Sequence, residues 1–184
     1  VEITNNLIQN CGEGSNTSGI HLNSCSSGKV IIDNNTIKNN GVNGAYTSTG
    51  IYLDSASPEI VNNLIENNTG SGIACIGSAP DLDTYDAMGN EFNNIHANGS
   101  GTQSGSSGSE IYLASSSYPT IKYNNIWDYD TGPIGIMVYK EEYSNSSAVT
   151  ATSCWWGTTS PAYPTDSYFF WGMTGTAIDY SSYS

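Results

Sequence analysis

One short block returns along most of this chain and constrains its fold more than any other feature. An apolar or small residue is followed three positions on by Asn, and two positions later by another apolar residue. The copies are Ile3–Asn6–Ile8, Ile32–Asn35–Ile37, Ile60–Asn63–Ile65, Ala87–Asn90–Phe92 and Ile121–Asn124–Ile126. A sixth, Ala151–Cys154–Trp156, keeps the spacing with Cys in place of Asn. Successive Asn or Cys positions lie 27 to 34 residues apart. A recurring period of this length marks a stack of similar structural units. Gly, Asn, Ser and β-branched residues are frequent, and the apolar spacing within the units is two rather than 3.6. Strands are therefore expected, not helical repeats.

The clearest unit is Gly50–Ser71, with the next beginning at Gly72 and Pro80 repeating Pro58. Three short strands fit it: Ile51–Leu53, Glu59–Asn62 and Leu64–Asn67. Side chains alternate across a strand. Ile51, Leu53, Ile60 and Ile65 then point inward and Tyr52 outward. The first strand recurs at Ile20–Leu22, Ile73–Cys75, Ile111–Leu113 and Ile136–Val138. Stacking puts like on like, and each buried aliphatic side chain contributes roughly 1.5–3 kcal/mol. The Asn positions, Asn6, Asn35, Asn63, Asn90 and Asn124, are expected to form an inward ladder. An inward amide carries both donor and acceptor, so it can satisfy backbone groups at a bend and bond its own neighbours.

These residues, above all GIYLDSASPEIVNNLIENN and the terminal Cys154-Trp-Trp-Gly157, resemble the right-handed parallel β-helix of the pectin-lyase-like superfamily. More narrowly, they resemble its repeat region in prokaryotic secreted and cell-surface proteins. The resemblance covers Val1 to about Gly157. It implies an all-β solenoid of about five to six coils (1–157), followed by an aromatic C-terminal cap and final strand (158–184). It implies an extracellular or cell-surface setting. It leaves activity open, because a fold does not fix a function. The chain starts inside a repeat, so a leader and earlier coils, or another domain, are expected upstream of Val1. The N-terminal edge lacks a capping segment and is a candidate for self-association or docking.

Charge narrows the partners. The 184 residues carry 17 acids against 4 lysines and no arginine, a net −13. That disfavours nucleic acid and anionic membrane surfaces. No apolar run approaches the ~18 residues of a membrane span. Sequons at Asn16, Asn34, Asn67, Asn98 and Asn145 leave glycosylation open. The four cysteines have no metal-site spacing. They fall at different points of the coil, with a short Cys11–Cys25 bridge as the one pairing to consider.

In enzymes of the resembled superfamily the site lies on the outer face of the first-strand sheet. Here that stripe reads His21, Tyr52, Ala74, Tyr112, Met137, with Asp54 just beyond its strand. His21, Tyr52 and Tyr112 are the carbohydrate-binding candidates. His21 and Asp54 are the candidate acid/base pair. A Tyr-decorated sheet surface is the plainer alternative, since sheets favour Tyr. Insertions at Gly12–Ser18, Gly41–Thr49 and Ala97–Ser109 are expected to wall this face. Asp81, Asp83 and Asp86, in an expected irregular loop, are candidate calcium ligands, calcium being the one cofactor the sequence suggests. The motifs of the resembled lyases and polygalacturonases are missing. The expected function is therefore a structural or recognition β-helix that binds glycan, with the C-terminal part of a polysaccharide-degrading enzyme as the alternative.

Overall fold

The structure is a computed structural model. It describes residues 1–12, 17–25, 30–41, 48–83, 92–99, 109–127, 138–140, 149–156, 170–171 and 178–179. Among these residues there are strands and bends but no helix. Every strand pairing is parallel, and the strands stack into three sheets. This is the arrangement of a β-solenoid.

Sheet I holds β3 (Ile20–Asn23), β6 (Ile51–Asp54), β9 (Ile73–Ile76), β12 (Ile111–Ala114), β15 (Val138–Lys140) and β17 (Phe170–Trp171). Sheet II holds β1 (Glu2–Thr4), β4 (Ile31–Asp33), β7 (Glu59–Val61), β10 (Asp81–Asp83), β13 (Thr120–Lys122), β16 (Thr150–Thr152) and β18 (Ile178–Asp179). Sheet III holds β2 (Leu7–Gln9), β5 (Thr36–Lys38), β8 (Leu64–Glu66), β11 (Asn94–His96) and β14 (Asn125–Trp127), and Trp155 bridges to Asn125 at its end. Two strands lying within 158–184, β17 and β18, pair with β15 and β16 and so extend sheets I and II.

Like residues stack on like. Sheet III places Ile8, Ile37, Ile65, Ile95 and Ile126 in one register column. Sheet I stacks Ile20, Ile51, Ile73, Ile111 and Val138, beside Leu22, Leu53, Cys75 and Leu113. Ile3, Ile32, Ile60, Leu82, Ile121 and Ala151 line the interior from sheet II, and together these form one apolar core. Trp156 is buried in it, while Trp155 is half-buried outside.

Each corner is built alike: a residue in the left-handed region, then an inward residue that bonds along the stack. Between sheets II and III, Asn5, Asn34, Asn62, Tyr123 and Ser153 have φ of 54–59°. Asn6, Asn35, Asn63, Asn124 and Cys154 follow them. Asn tolerates this backbone better than most residues because its short side chain bonds locally. The inward amides link directly: Asn6 Nδ2 to Asn35 Oδ1, Asn35 Nδ2 to Asn63 Oδ1 and Asn63 Nδ2 to Asn93 Oδ1 at 3.1 Å each, then Asn93 Nδ2 to Asn124 Oδ1 at 2.9 Å. The fourth member is thus Asn93, not Asn90, which lies outside the described residues. Cys154 is the last described member of the column, its thiol donating to Ile121 O.

A second amide column, unforeseen from the sequence, runs between sheets III and I. Asn40 Nδ2 donates to Asn68 Oδ1 (3.0 Å), and Asn68 Nδ2 to Asn98 Oδ1 (2.8 Å). Asn98 donates its backbone N–H and Nδ2–H to the two carboxylate oxygens of buried Glu110. The third corner uses hydroxyls: Ser78 Oγ accepts from Ala56 N, and Ser117 Oγ from Ser78 N.

Two expectations need correction. The fifth strand of sheet I starts at Val138, in register with Ile111, not at Ile136. Ile136-Met-Val138 and Val138-Tyr-Lys140 both place an apolar residue where the pattern wants one, so alternation cannot choose between them. Met137 lies outside the described residues. Asp81 and Asp83 belong to the regular strand β10 and flank inward Leu82, rather than sitting in an irregular loop. All four cysteines are free, Cys11 and Cys25 included.

Candidate functional site

The candidate face is the outer surface of sheet I. Because Ile20 and Leu22 point inward, β3 must turn His21 and Asn23 outward. In β6 the same alternation turns out Tyr52 and Asp54. Register puts His21 beside Tyr52 and Asn23 beside Asp54. The His21 and Tyr52 rings meet edge to face, centroids 5.0 Å apart at 77°. Asn23 Nδ2 donates to Asp54 Oδ2 at 3.2 Å, and Ser55 Oγ donates to Asp54 Oδ1 at 3.1 Å. His21 and Asn23 are exposed, Tyr52 and Asp54 half-buried. The patch offers one ring edge and several hydroxyl-seeking groups on a stiff backbone.

The stripe does not stay open along the stack. Beyond Tyr52 come Ala74, fully buried, and Tyr112, which is only 2% exposed. With Ala114 they form a small apolar cluster outside the main core, Tyr52 and Ile76 packing on its edge. Tyr112 therefore offers no open ring to a glycan, contrary to the expectation from alternation. Alternation tells which side of a sheet a residue takes, not whether that side is covered. In backbone register, Tyr139 of β15 pairs with Tyr112 and Trp171 of β17 with Tyr139.

His21 and Asp54 are not brought together as an acid/base pair. No hydrogen bond or ion pair joins them among the described residues; Asp54 is held by Asn23 and Ser55, and His21 meets Tyr52. The inserted segments expected to wall the face lie mostly at residues 13–16, 42–47 and 100–108, outside the described residues.

The calcium candidates are not gathered either. Lys122 Nζ donates to Asp83 Oδ2 at 3.0 Å, which raises the lysine's pKa and uses the carboxylate. Asp81 Oδ1 accepts the Asp83 backbone N–H, and Asp86 lies outside the described residues. Among the described residues no three His, Cys, Asp or Glu side chains converge on a metal position.

No protein-family model, curated protein or solved structure matches this chain. No helix among the described residues is long and apolar enough to cross a membrane. The chemistry of the outer faces therefore carries the functional reading.

Proposed function

We propose that this chain is a right-handed parallel β-helix of about five to six coils, closed by its aromatic C-terminal segment, of the pectin-lyase-like kind. Its role is that of an extracellular or cell-surface scaffold that recognises carbohydrate. The pair of exposed His21 and half-buried Tyr52, beside Asn23 and Asp54 on a stiff sheet, carries the recognition part. An aromatic ring supplies an apolar face and the flanking amide and carboxylate supply hydroxyl partners, the mixture that sugar recognition uses. The hydrogen-bonded columns supply the stiffness, since the rungs from Asn6 to Asn124 are tied to one another by side chains as well as backbone.

Glycan-array screening of the intact chain tests this. The expected result is retention on one or more glycans, lowered at least about tenfold by Tyr52→Ala, an effect usual for truncating a central aromatic contact. Retention equal in wild type, Tyr52→Ala and His21→Ala, or none at all, would sink the proposal.

A further inference from the structure

Sheet III turns two rows outward on either side of its isoleucine column. One runs Leu7, Thr36, Leu64, Asn94, Asn125, with Trp155 bridged in register to Asn125. The other runs Gln9, Lys38, Glu66, His96, Trp127. Their C-terminal portions make one continuous patch. The Trp127 and Trp155 indoles are both half-buried, their centroids 5.3 Å apart and their planes inclined at 65°, so they form a corner. His96 stacks on Trp127 at 4.2 Å and 16°.

Beside that corner lies an amide pair with capacity unspent. Asn125 Nδ2 donates to Asn94 Oδ1 at 2.9 Å. Asn94 Nδ2 and Asn125 Oδ1 have no protein partner among the described residues, and both residues are half-exposed. One donor and one acceptor therefore stand ready next to two rings.

Charge selects the ligand. Glu66 is opposed by Lys38, whose Nζ lies 3.9 Å from one carboxylate oxygen, while the His96 ring, Nε2 at 3.5 Å, covers the other. Among the described residues of these two rows Glu66 is the one carboxylate and Lys38 opposes it, and a molecule of net charge −13 repels anions. An uncharged molecule with apolar C–H faces and many hydroxyls matches rings plus neutral amides. Sheet II has no such surface: its corresponding outward row is Glu2, Ile31, Glu59, Asp81 and Thr120, without an aromatic.

We propose that the outer face of sheet III around Asn94, Asn125, Trp127 and Trp155 is a second binding site, for neutral saccharides, separate from the His21–Tyr52 patch. It does not depend on the reading of that patch.

The test titrates the intact chain with cellohexaose, xylohexaose and mannohexaose, with polygalacturonate as the anionic comparison. Indole N–H resonances of isotope-labelled tryptophan give the readout, assigned through Trp127→Phe and Trp155→Phe. At least one neutral hexasaccharide is expected to shift both resonances saturably. The Asn94→Ala/Asn125→Ala variant is expected to bind at least about tenfold more weakly while melting near the wild type. Should that variant fold poorly, the single Asn125→Ser change and the wild-type shifts decide. A drop of that size in an amide variant supports the site whatever Tyr52→Ala does. The site is overturned if no neutral hexasaccharide moves the two resonances, if the amide variants bind as wild type does, or if polygalacturonate binds more tightly. Binding removed by Tyr52→Ala alone overturns this site and leaves the first patch standing.

Discussion

At the scale of single residues, the second amide column explains a set of glycines and one buried acid together. A Cβ built on Gly19, Gly50 or Gly72 would lie 2.8 Å from the Nδ2 of Asn40, Asn68 or Asn98 respectively. These glycines are small because an amide occupies the space, not because the backbone is left-handed there. One coil on, the residue preceding β12 is Glu110 where Gly72 precedes β9. Its carboxylate fills the place the next amide would take, accepting both donors of Asn98. An acceptor-only group suits this place, because the donors of the column all point toward it. Two predictions follow from this exchange of Gly plus Asn for Glu. Gly72→Ala should lower stability by about 1–3 kcal/mol, since backbone as well as side-chain atoms crowd the new methyl. Glu110→Ala should cost about 1–3 kcal/mol for each Asn98 donor left unmet, and Glu110→Gln, which restores one acceptor, distinctly less. Urea denaturation midpoints check both, and a Glu110→Ala protein as stable as wild type would refute this role of the carboxylate.

At the scale of the element, the outer row of sheet III ties three strands through Glu66, His96 and Trp127. Burial lowers the His96 pKa below 6.5, and the nearby Glu66 carboxylate raises it only partly back. The unfolded chain thus takes up this proton at higher pH than the folded chain. The neutral ring's contribution to stability is complete above about pH 6.5 and shrinks as pH falls from there toward the folded value. Melting temperature should fall between about pH 6.5 and 5 more steeply in wild type than in His96→Gln. Equal slopes would show that His96 is not the group responsible. Much of the fold was legible because strand alternation and the amide ladder are written in single residue types: Ile51, Leu53, Ile60, Ile65, Asn35 and Asn63 sit where their pattern puts them. Asn93 was not, because the pattern requires an apolar residue three positions before the amide. In this coil that inward residue is Leu82, and residues 84–91 intervene. The true signal was the Ile two positions after the amide, Ile95, which matches Ile37, Ile65 and Ile126. The second column hid for another reason: its position after the sheet III strand holds Cys11 as well as Asn40, Asn68 and Asn98, and its next acceptor, Glu110, comes from a different position, the one Gly72 holds a coil earlier. Covering of Tyr112 and the pairing of Asp83 with Lys122 depend on contacts between coils that no local pattern encodes.

At the scale of the whole molecule, a stack in which each coil touches only its neighbours gains stability from those neighbours, so coils with two of them are held best. The cysteines sample this. Cys75 lies on β9 between β6 and β12, fully buried, and desolvation raises its thiol pKa far above the ordinary value. Cys154 is the last described member of the first amide column, where burial raises its pKa to about 12 against the opposing pull of Asn124 N–H donors. Cys11 and Cys25 are half-buried at the N-terminal coil, their thiols donating to Gln9 O and Asn23 O. Thiolate is the reactive form, so a disulfide reagent should modify Cys11 and Cys25 in the native protein and leave Cys75 and Cys154 untouched. Adding urea below the main transition should then open Cys154 before Cys75, because among the described residues the first has a neighbour of its own column on one side and the second is clamped on both. Mass spectrometry of the modified peptides reads the order. Simultaneous appearance of the two buried thiols would mean that the solenoid opens as one cooperative unit, and early modification of Cys75 would contradict the placement of β9 inside the stack.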